Sequence, residues 1–162
     1  MRALVVAASS VLLAACGFHL RGDASFPFST VYVSVPMSQP MAVETRRALA
    51  AADASTKVVE SAANAEVLLE LPVVVDDKDV LSLSSGGSVR EYQLVKRVQY
   101  RLSDKNGNQW IPPGEIVIRR AYTFNETQVL ARDLQEQRLL REMQTDAVQQ
   151  LLRRMQAARK PA

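Results

Sequence analysis

Cysteine and histidine, which often serve as nucleophiles, bases and metal ligands, are scarce in this chain of 162 residues. It has one cysteine, Cys16, and one histidine, His19. A protein zinc site usually needs several histidine and cysteine ligands, so these two residues predict no metal site. His19 has no serine or carboxylate at triad-like spacing near it, and we find no paired carboxylates or nucleophile with a base elsewhere. We therefore expect no catalytic residue, no metal and no cofactor, and a protein that is not an enzyme.

The position of Cys16 is more informative than its reactivity. Met1 and Arg2 give a positive start, and Ala3 to Ala15 form an uncharged stretch of small and apolar residues. A helix needs about 20 apolar residues to cross a bilayer, and this stretch is shorter. Its length and its small residues just before the cysteine are typical of a secretory signal peptide.

The run Leu13-Ala14-Ala15-Cys16 resembles the bacterial lipobox. That resemblance implies that the thiol of Cys16 receives a diacylglycerol, that the chain is cut before it, and that the new amino group is acylated, for example with palmitate. An ordinary signal peptide that happens to end near a cysteine is the alternative, but it would leave an unpaired thiol in an oxidising compartment. Gly17 stands where an Asp would retain an enteric lipoprotein in the inner membrane, which favours the outer membrane.

Composition limits what the rest of the chain can be. Hydrophobic residues make up 48%, enough for one buried core, and the length suits a single domain. The net charge is only +3, because 20 basic residues face 17 acidic ones. No dense basic patch interleaved with aromatic residues is visible, so we expect no nucleic-acid binding.

Alternating apolar residues predict five strands. These strands are Thr30–Val35, Lys57–Glu60, Val67 to Leu83, Val89–Ser103 and Glu115–Phe124. Along the third, the pattern puts Val67, Leu69, Leu71, Val73 and Val75 on one face, and Pro72 indicates an edge or a bulge. Along the fourth, the residues expected to share a face are Tyr92, Leu94, Val98, Tyr100 and Leu102. Turns are predicted at 84–88 and at 104–108, where Asn-Gly favours a hairpin, and the Pro112-Pro113-Gly114 run predicts a break before the last strand.

Two amphipathic helices complete the pattern. The first begins near Pro40 with Ser38 as its cap and ends near Asp53, and the second begins after Asn125 and ends near Ala157. The apolar face of the first comprises Met41, Thr45, Ala48, Leu49 and Ala52. The apolar stripe of the second comprises Leu130, Leu134, Leu140, Met143, Ala147, Leu151 and Met155.

The predicted order is β-α-β-β-β-β-α. Two amphipathic helices can cover one face of a sheet, so the fold class is α+β, a two-layer sandwich with both helices on one face of a four- to five-stranded mixed sheet. The other face is then open or belongs to a partner. We divide the chain into a signal peptide (1–15), a lipidated tether (16–29), one domain (30–158) and a short tail (159–162).

The run Cys16-Gly17-Phe18-His19-Leu20-Arg21-Gly22 resembles the start of the mature proteins of the LptE family. The likeness continues at Arg90-Glu91-Tyr92-Gln93-Leu94, at Arg120 to Phe124, at Leu130-Ala131-Arg132-Asp133 and at Arg141-Glu142-Met143. It spans nearly the whole chain after the predicted cleavage point. The opening run is fairly specific, and the later runs are less so.

The resemblance implies an outer-membrane lipoprotein without enzymatic activity. Such proteins plug the LptD β-barrel in a 1:1 complex, help it to assemble and bind lipopolysaccharide on its way to the outer leaflet. The domain would lie on the periplasmic side or within the barrel lumen. An alternative that the residues leave open is a periplasmic lipid-binding auxiliary lipoprotein of an inner-membrane ABC transport system.

The same resemblance suggests which basic residues meet lipopolysaccharide. The family has functional basic residues near the central hairpin turn and near the start of the long helix. Arg132 matches the helix position, while the turn is Ser-Ser-Gly-Gly and its nearest base is Arg90. Lys96 and Arg120 are added as candidates because each interrupts the apolar face of its strand. For those two, the alternative is a side chain whose stem lies along the core edge and whose charge reaches water. For Arg132, the alternative is a solvated charge, which is the more common role of an arginine on an exposed helix turn.

Overall fold

The computed structural model describes residues 25–35, 39–123 and 129–161, and for residues 129–132 it describes the backbone alone. The predicted signal peptide, Cys16 and His19 lie outside these residues, as do Ser38 and Asn125. Neither helix within the described ranges has the length and hydropathy needed to span a membrane.

The elements follow the predicted order, so the α+β class is confirmed. The strands are β1 (Thr30–Ser34), β2 (Lys57–Val58), β3 (Val67–Leu83), β4 (Val89–Asp104) and β5 (Gln109–Thr123), and the helices are α1 (Pro40–Ala52) and α2 (Val129–Gln156), with a 3₁₀ turn at Ala62–Asn64. They form one five-stranded mixed sheet in the order β2-β1-β3-β4-β5. β1 is parallel to β2 and β3, while β3, β4 and β5 run antiparallel as a meander.

Both helices pack on the same face of the sheet, as predicted. The core includes Val31 and Val33 of β1, Leu102 of β4, and Leu49 of α1 and Leu151 of α2, all fully buried. The hairpin between β4 and β5 also forms as expected, because Gly107 adopts a φ of 84° and Asp104 accepts hydrogen bonds from the amides of Asn106 and Asn108.

Pro72 lies in a bulge, and the bulge corrects the predicted face of β3. Glu70 pairs with Arg101 but Val73 pairs with Gln99, so β3 carries one residue more than β4 between these pairs. An extra residue reverses which way the following side chains point. Val73 and Val75 therefore lie on the face opposite Val67 and Leu69, and the prediction of one continuous odd-numbered face was wrong.

The predicted break at Pro112-Pro113-Gly114 was also wrong, because β5 begins at Gln109 and continues through it. Proline lacks the amide needed for a ladder, but β5 is an edge strand whose outer side needs no partner. The pairing skips a residue there, since Tyr100 pairs with Gly114 and Leu102 pairs with Ile111. Thus the prolines bend an edge strand without ending it.

Gly114 allows β5 to cross the ring of Tyr100. A Cβ atom added at Gly114 would collide with the Tyr100 hydroxyl and lie 2.6 Å from its Cζ atom. The ring cannot easily move away, because Tyr100 is buried and the Arg154 guanidinium lies 5.2 Å from the ring centroid.

We therefore expect Gly114→Ala to lower the free energy of unfolding by about 1–3 kcal/mol, as overpacking usually does. Urea denaturation followed by circular dichroism measures the change. Gly86→Ala is the matched control, because its new Cβ atom would meet nothing closer than 3.9 Å. An equal loss of unfolding free energy in the two variants would contradict the close contact between Gly114 and the Tyr100 ring.

The helices depart from prediction at their ends. Gln39 occupies the N-cap of α1, where its carbonyl accepts from the amide of Ala42, so the predicted cap at Ser38 is one residue too early. In α2, Met143 and Met155 are fully buried as expected, but Leu134 is 61% exposed. The predicted apolar stripe of α2 is therefore buried at Met143 and beyond, partly buried at Leu140 and exposed at Leu134.

Asp53 ties the entry of the chain to the end of α1. Its carboxylate accepts hydrogen bonds from the hydroxyl and amide of Ser55, from Thr56 and from the amide of Phe26. The Ser55 hydroxyl, followed by these other donors, lowers the pKa of Asp53 to about 2. This contact fixes the described start of the chain, at Phe26, to the end of α1.

Candidate functional site

The helix-facing side of the sheet changes character along the β3–β4 hairpin. Near Leu69 and Leu102 it is apolar and buried, whereas beyond the Pro72 bulge it carries charged pairs. We call this second region the polar ladder and define it as Asp76, Lys78, Lys96, Arg120, Tyr122, Glu136 and Asp146. It joins β3, β4, β5 and α2.

Lys96 lies at the centre of the polar ladder and is almost fully buried, with 2% of its side chain exposed. Its Nζ atom lies 2.6 Å from Oδ1 of Asp76, the residue paired with it across the strands. Asp76 is 42% exposed, so the pair reaches water through the carboxylate. The ammonium therefore lies within the protein and does not extend to solvent, which corrects the expectation for a solvated charge.

Lys78 connects the β3–β4 hairpin to α2. Its Nζ atom lies 2.5 Å from Oε2 of Glu136 on α2, and the same carboxylate oxygen accepts from the Tyr122 hydroxyl at 2.5 Å. The ammonium also lies 4.4 Å from the centroid of the Tyr92 ring, which stacks on Tyr122. Four side chains from three strands and one helix are thus held together.

The pKa values of this cluster reflect its burial and its hydrogen bonds. Desolvation disfavours the Lys78 ammonium, but the hydrogen bonds to Glu136 and Tyr122 outweigh it and raise the pKa of Lys78. Desolvation first, and then the hydrogen bond to Glu136, raises the pKa of Tyr122. Lys78 is therefore charged, and Tyr122 is a neutral donor, at neutral pH.

Arg120 closes the ladder at the sheet edge. Its Nη2 atom lies 2.6 Å from Oδ2 of Asp146 on α2, and both side chains are nearly half exposed. Arg120 therefore faces the helix, as its position on the strand predicted, and its charge is paired within the domain. An exposed pair of this kind adds little stability, about 0–1 kcal/mol.

The end of the hairpin, residues 80–90, is the most exposed part of the sheet, and we call it the hairpin tip. Val80, Leu81 and Leu83 are between 48% and 58% exposed. Gly87 makes the turn with a φ of 83°. Arg90 is exposed beside these apolar side chains, and it forms no ion pair with any described residue. The tip thus combines a cation with an apolar surface.

The other predicted site residues are only partly located. Arg132 lies in the first turn of α2, where the structure describes the backbone alone. Cys16 lies outside the described residues. Of the four basic candidates, the structure brings Lys96 and Arg120 together in the polar ladder and places Arg90 at the hairpin tip. Where side chains are described, no three His, Cys, Asp or Glu residues converge in a way that could hold a metal ion.

Lys78, Glu136 and Tyr122 were not predicted as site residues from the sequence. Lys78 lies in the acidic run at 76–79, and this pattern predicts solvated side chains that interrupt the apolar face of the strand. The signal that could have found it is Pro72, since one extra residue there moves the even-numbered residues of β3 to the helix side. Partners for Lys78 on α2 could not be predicted, because they depend on how the helix lies over the sheet.

Comparisons with known proteins by sequence all point to one family. The sequence profile of the family described as "LptE: Lipopolysaccharide-assembly" matches residues 28–155. A protein named LPS-assembly lipoprotein LptE from Pectobacterium atrosepticum is 27% identical over 154 residues, covering 94% of this chain and 83% of that protein. A protein of the same name from Yersinia enterocolitica is also 27% identical, covering 94% of this chain and 73% of its own length.

Solved structures share the fold. The solution structure of an uncharacterized lipoprotein B from Nitrosomonas europaea is 36% identical and superposes with a TM-score of 0.76, covering 87% of this chain and 91% of that chain. The crystal structure of the rare lipoprotein B from Shewanella oneidensis has a TM-score of 0.68 at 24% identity, covering 79% of this chain and 94% of that chain, and supports the fold alone.

Proposed function

This chain belongs to the LptE family of lipopolysaccharide-assembly proteins, and we propose that it is an outer-membrane lipoprotein that binds lipopolysaccharide and plugs an LptD-type β-barrel. The profile match over residues 28–155, which takes in every strand and nearly all of α2, carries this proposal. The role is non-enzymatic: lipopolysaccharide is bound and positioned, and no covalent bond is made or broken. No observation favours the alternative of an auxiliary lipoprotein for an inner-membrane ABC system.

The anchor in this proposal is lipid on Cys16. The described part of the domain begins at Ser25, and an extended chain spans at most about 3.3–3.6 Å per residue. The tether therefore keeps the domain within roughly 30 Å of the membrane surface. Two or more acyl chains hold a protein firmly on a bilayer, whereas one holds it weakly.

The hairpin tip is the part of the domain best suited to lipopolysaccharide. This ligand presents phosphates and sugars on a bundle of acyl chains, and the tip presents Arg90 beside Val80, Leu81 and Leu83. A guanidinium binds phosphate through charge-assisted, bidentate hydrogen bonds, and exposed aliphatic side chains suit the acyl chains. We assign the corresponding role at the start of α2 to Arg132.

Lys96 and Arg120 receive a different role. Their charges are already paired with Asp76 and Asp146, and Lys96 is buried. Binding a phosphate there would require breaking an existing ion pair. We therefore propose that Lys96 holds the two strands of the β3–β4 hairpin together and that Arg120 holds α2 on β5, so that Arg90 and Arg132 are presented to the ligand.

Arg90→Ala is expected to weaken binding of purified lipopolysaccharide about five- to tenfold, because a charge-assisted hydrogen bond is lost. Fluorescence titration in a neutral detergent measures the dissociation constant. Arg47→Ala on α1 is the matched control, since it removes the same charge from an exposed position away from the tip. Equal weakening by both variants would indicate a general charge effect, and no weakening by Arg90→Ala would exclude the tip as the binding site.

A further inference from the structure

The outer edge of β3 is unpaired over much of its length. β1 runs beside β3 only from Val31 to Ser34, which pair with Val67 to Glu70. Beyond the Pro72 bulge, β3 continues from Val73 to Leu83 with β4 on one side and, among the described residues, no strand on the other. At about 3.3 Å per residue, this free edge is roughly 35 Å long.

An edge of this length is normally protected against pairing with other chains. The opposite edge of the sheet, β5, carries Pro112 and Pro113 and the bulge beside them. The free edge of β3 has no proline after Pro72, and Val75, Val80, Leu81 and Leu83 are between 41% and 58% exposed. The pairing of β3 with β4 is regular from Val73 to Val80 and irregular between Val80 and Leu83. The edge Val73–Val80 therefore retains the row of backbone donors and acceptors that an added strand needs.

The charge of the edge indicates what kind of strand it takes. Asp77 and Asp79 lie on the sheet face that the helices leave uncovered, both are exposed, and neither forms an ion pair with another described residue. Asp76 and Lys78, which point the other way, are already paired with Lys96 and Glu136. Like charges placed directly opposite each other destabilise a sheet, whereas opposite charges stabilise it.

The charges of Asp77 and Asp79 disfavour a second copy of this chain as the strand that pairs with this edge. Two β3 edges paired antiparallel about a two-fold axis near Asp77 would place Asp77 or Asp79 of one copy against an aspartate of the other. An incoming strand with lysine or arginine at two alternate positions would instead face both carboxylates from the same side.

We infer that the edge Val73–Val80 is a docking site for an extended segment of another protein that carries two basic residues two positions apart. The segment adds a strand next to β3, its backbone pairs with the free edge, and its basic side chains meet Asp77 and Asp79. This inference rests on the free edge and its charges and not on the proposed binding of lipopolysaccharide.

Hydrogen exchange of the full lipidated chain in a neutral detergent tests this inference. The probe is a synthetic capped peptide of threonine and valine with lysine at two alternate positions. Saturating peptide is expected to slow exchange of backbone amides within Val73–Val80 and to leave those of the β5 edge unchanged. A peptide with glutamate in place of lysine is expected to bind at least about tenfold more weakly.

The double variant Asp77→Asn, Asp79→Asn should weaken the lysine peptide about tenfold, and because both residues are exposed it should keep the fold. The double variant Glu60→Gln, Glu142→Gln removes two exposed acidic charges that lie outside the polar ladder and away from this edge, and it should not weaken binding of the lysine peptide. Equal affinity for the two peptides, equal weakening by the two double variants, or protection at β5 and not at β3 would each overturn the inference.

Discussion

Replacing Cys16 with alanine is expected to move the protein from the membrane fraction to the soluble fraction. Each buried methylene contributes about 0.8 kcal/mol to membrane binding, so removal of all acyl chains removes the anchor. Western blotting of fractionated cells measures the change, and less than roughly a tenth of the variant should remain with membranes.

Ser25→Ala is the matched control, because it alters a small residue of the same tether without touching the thiol. Mass spectrometry of the mature wild-type protein should show a chain that begins at Cys16 and carries the mass of the acyl groups. Membrane retention of Cys16→Ala, or an unmodified thiol in the wild type, would contradict lipidation.

The second large effect is expected from the buried pair in the polar ladder. Asp76→Ala leaves the Lys96 ammonium almost fully buried without a counter-charge, and breaking a buried pair in this way costs about 3–5 kcal/mol. Because the carboxylate side of this pair is partly exposed, we expect roughly 2–4 kcal/mol. Urea denaturation measures the free energy of unfolding.

Lys96→Met is expected to have a much smaller effect, within about 1 kcal/mol of the wild type, since an apolar chain of similar size fills the same space and Asp76 can be hydrated. Asp79→Ala, which removes an exposed aspartate of the same strand, controls for the loss of a negative charge. Equal destabilisation by Asp76→Ala and Lys96→Met would show that the uncompensated ammonium is not the cause.

The sequence predicts this fold well where the pattern of apolar residues is set by local geometry. Alternation along β4 correctly placed Leu94, Val98 and Leu102 on the helix-covered face, and Asn-Gly correctly predicted the second hairpin. The errors in the strands occur at prolines, because one residue inserted at Pro72 reverses the side chains of β3 from Val73 to Val80, while the run at Pro112 is tolerated on an edge strand. Sequence alone does not reveal which strand will be at an edge.

The candidate site could be predicted only in part. The unusual positions of Lys96 and Arg120 within apolar faces were recognisable from the strand period. Their partners were not, because Asp76 reaches Lys96 only through the register of β3 and β4, and Asp146 reaches Arg120 only through the packing of α2. Leu134 shows the same limit, since a helical stripe does not reveal which of its residues the packing leaves exposed.

The partnership with a barrel is tested most directly by purifying the tagged chain from outer membranes in a mild detergent and measuring the mass and composition of the complex. Our account predicts one large β-barrel protein in a 1:1 ratio, together with lipopolysaccharide. Recovery of the chain alone, or with components of an inner-membrane transporter, would contradict it.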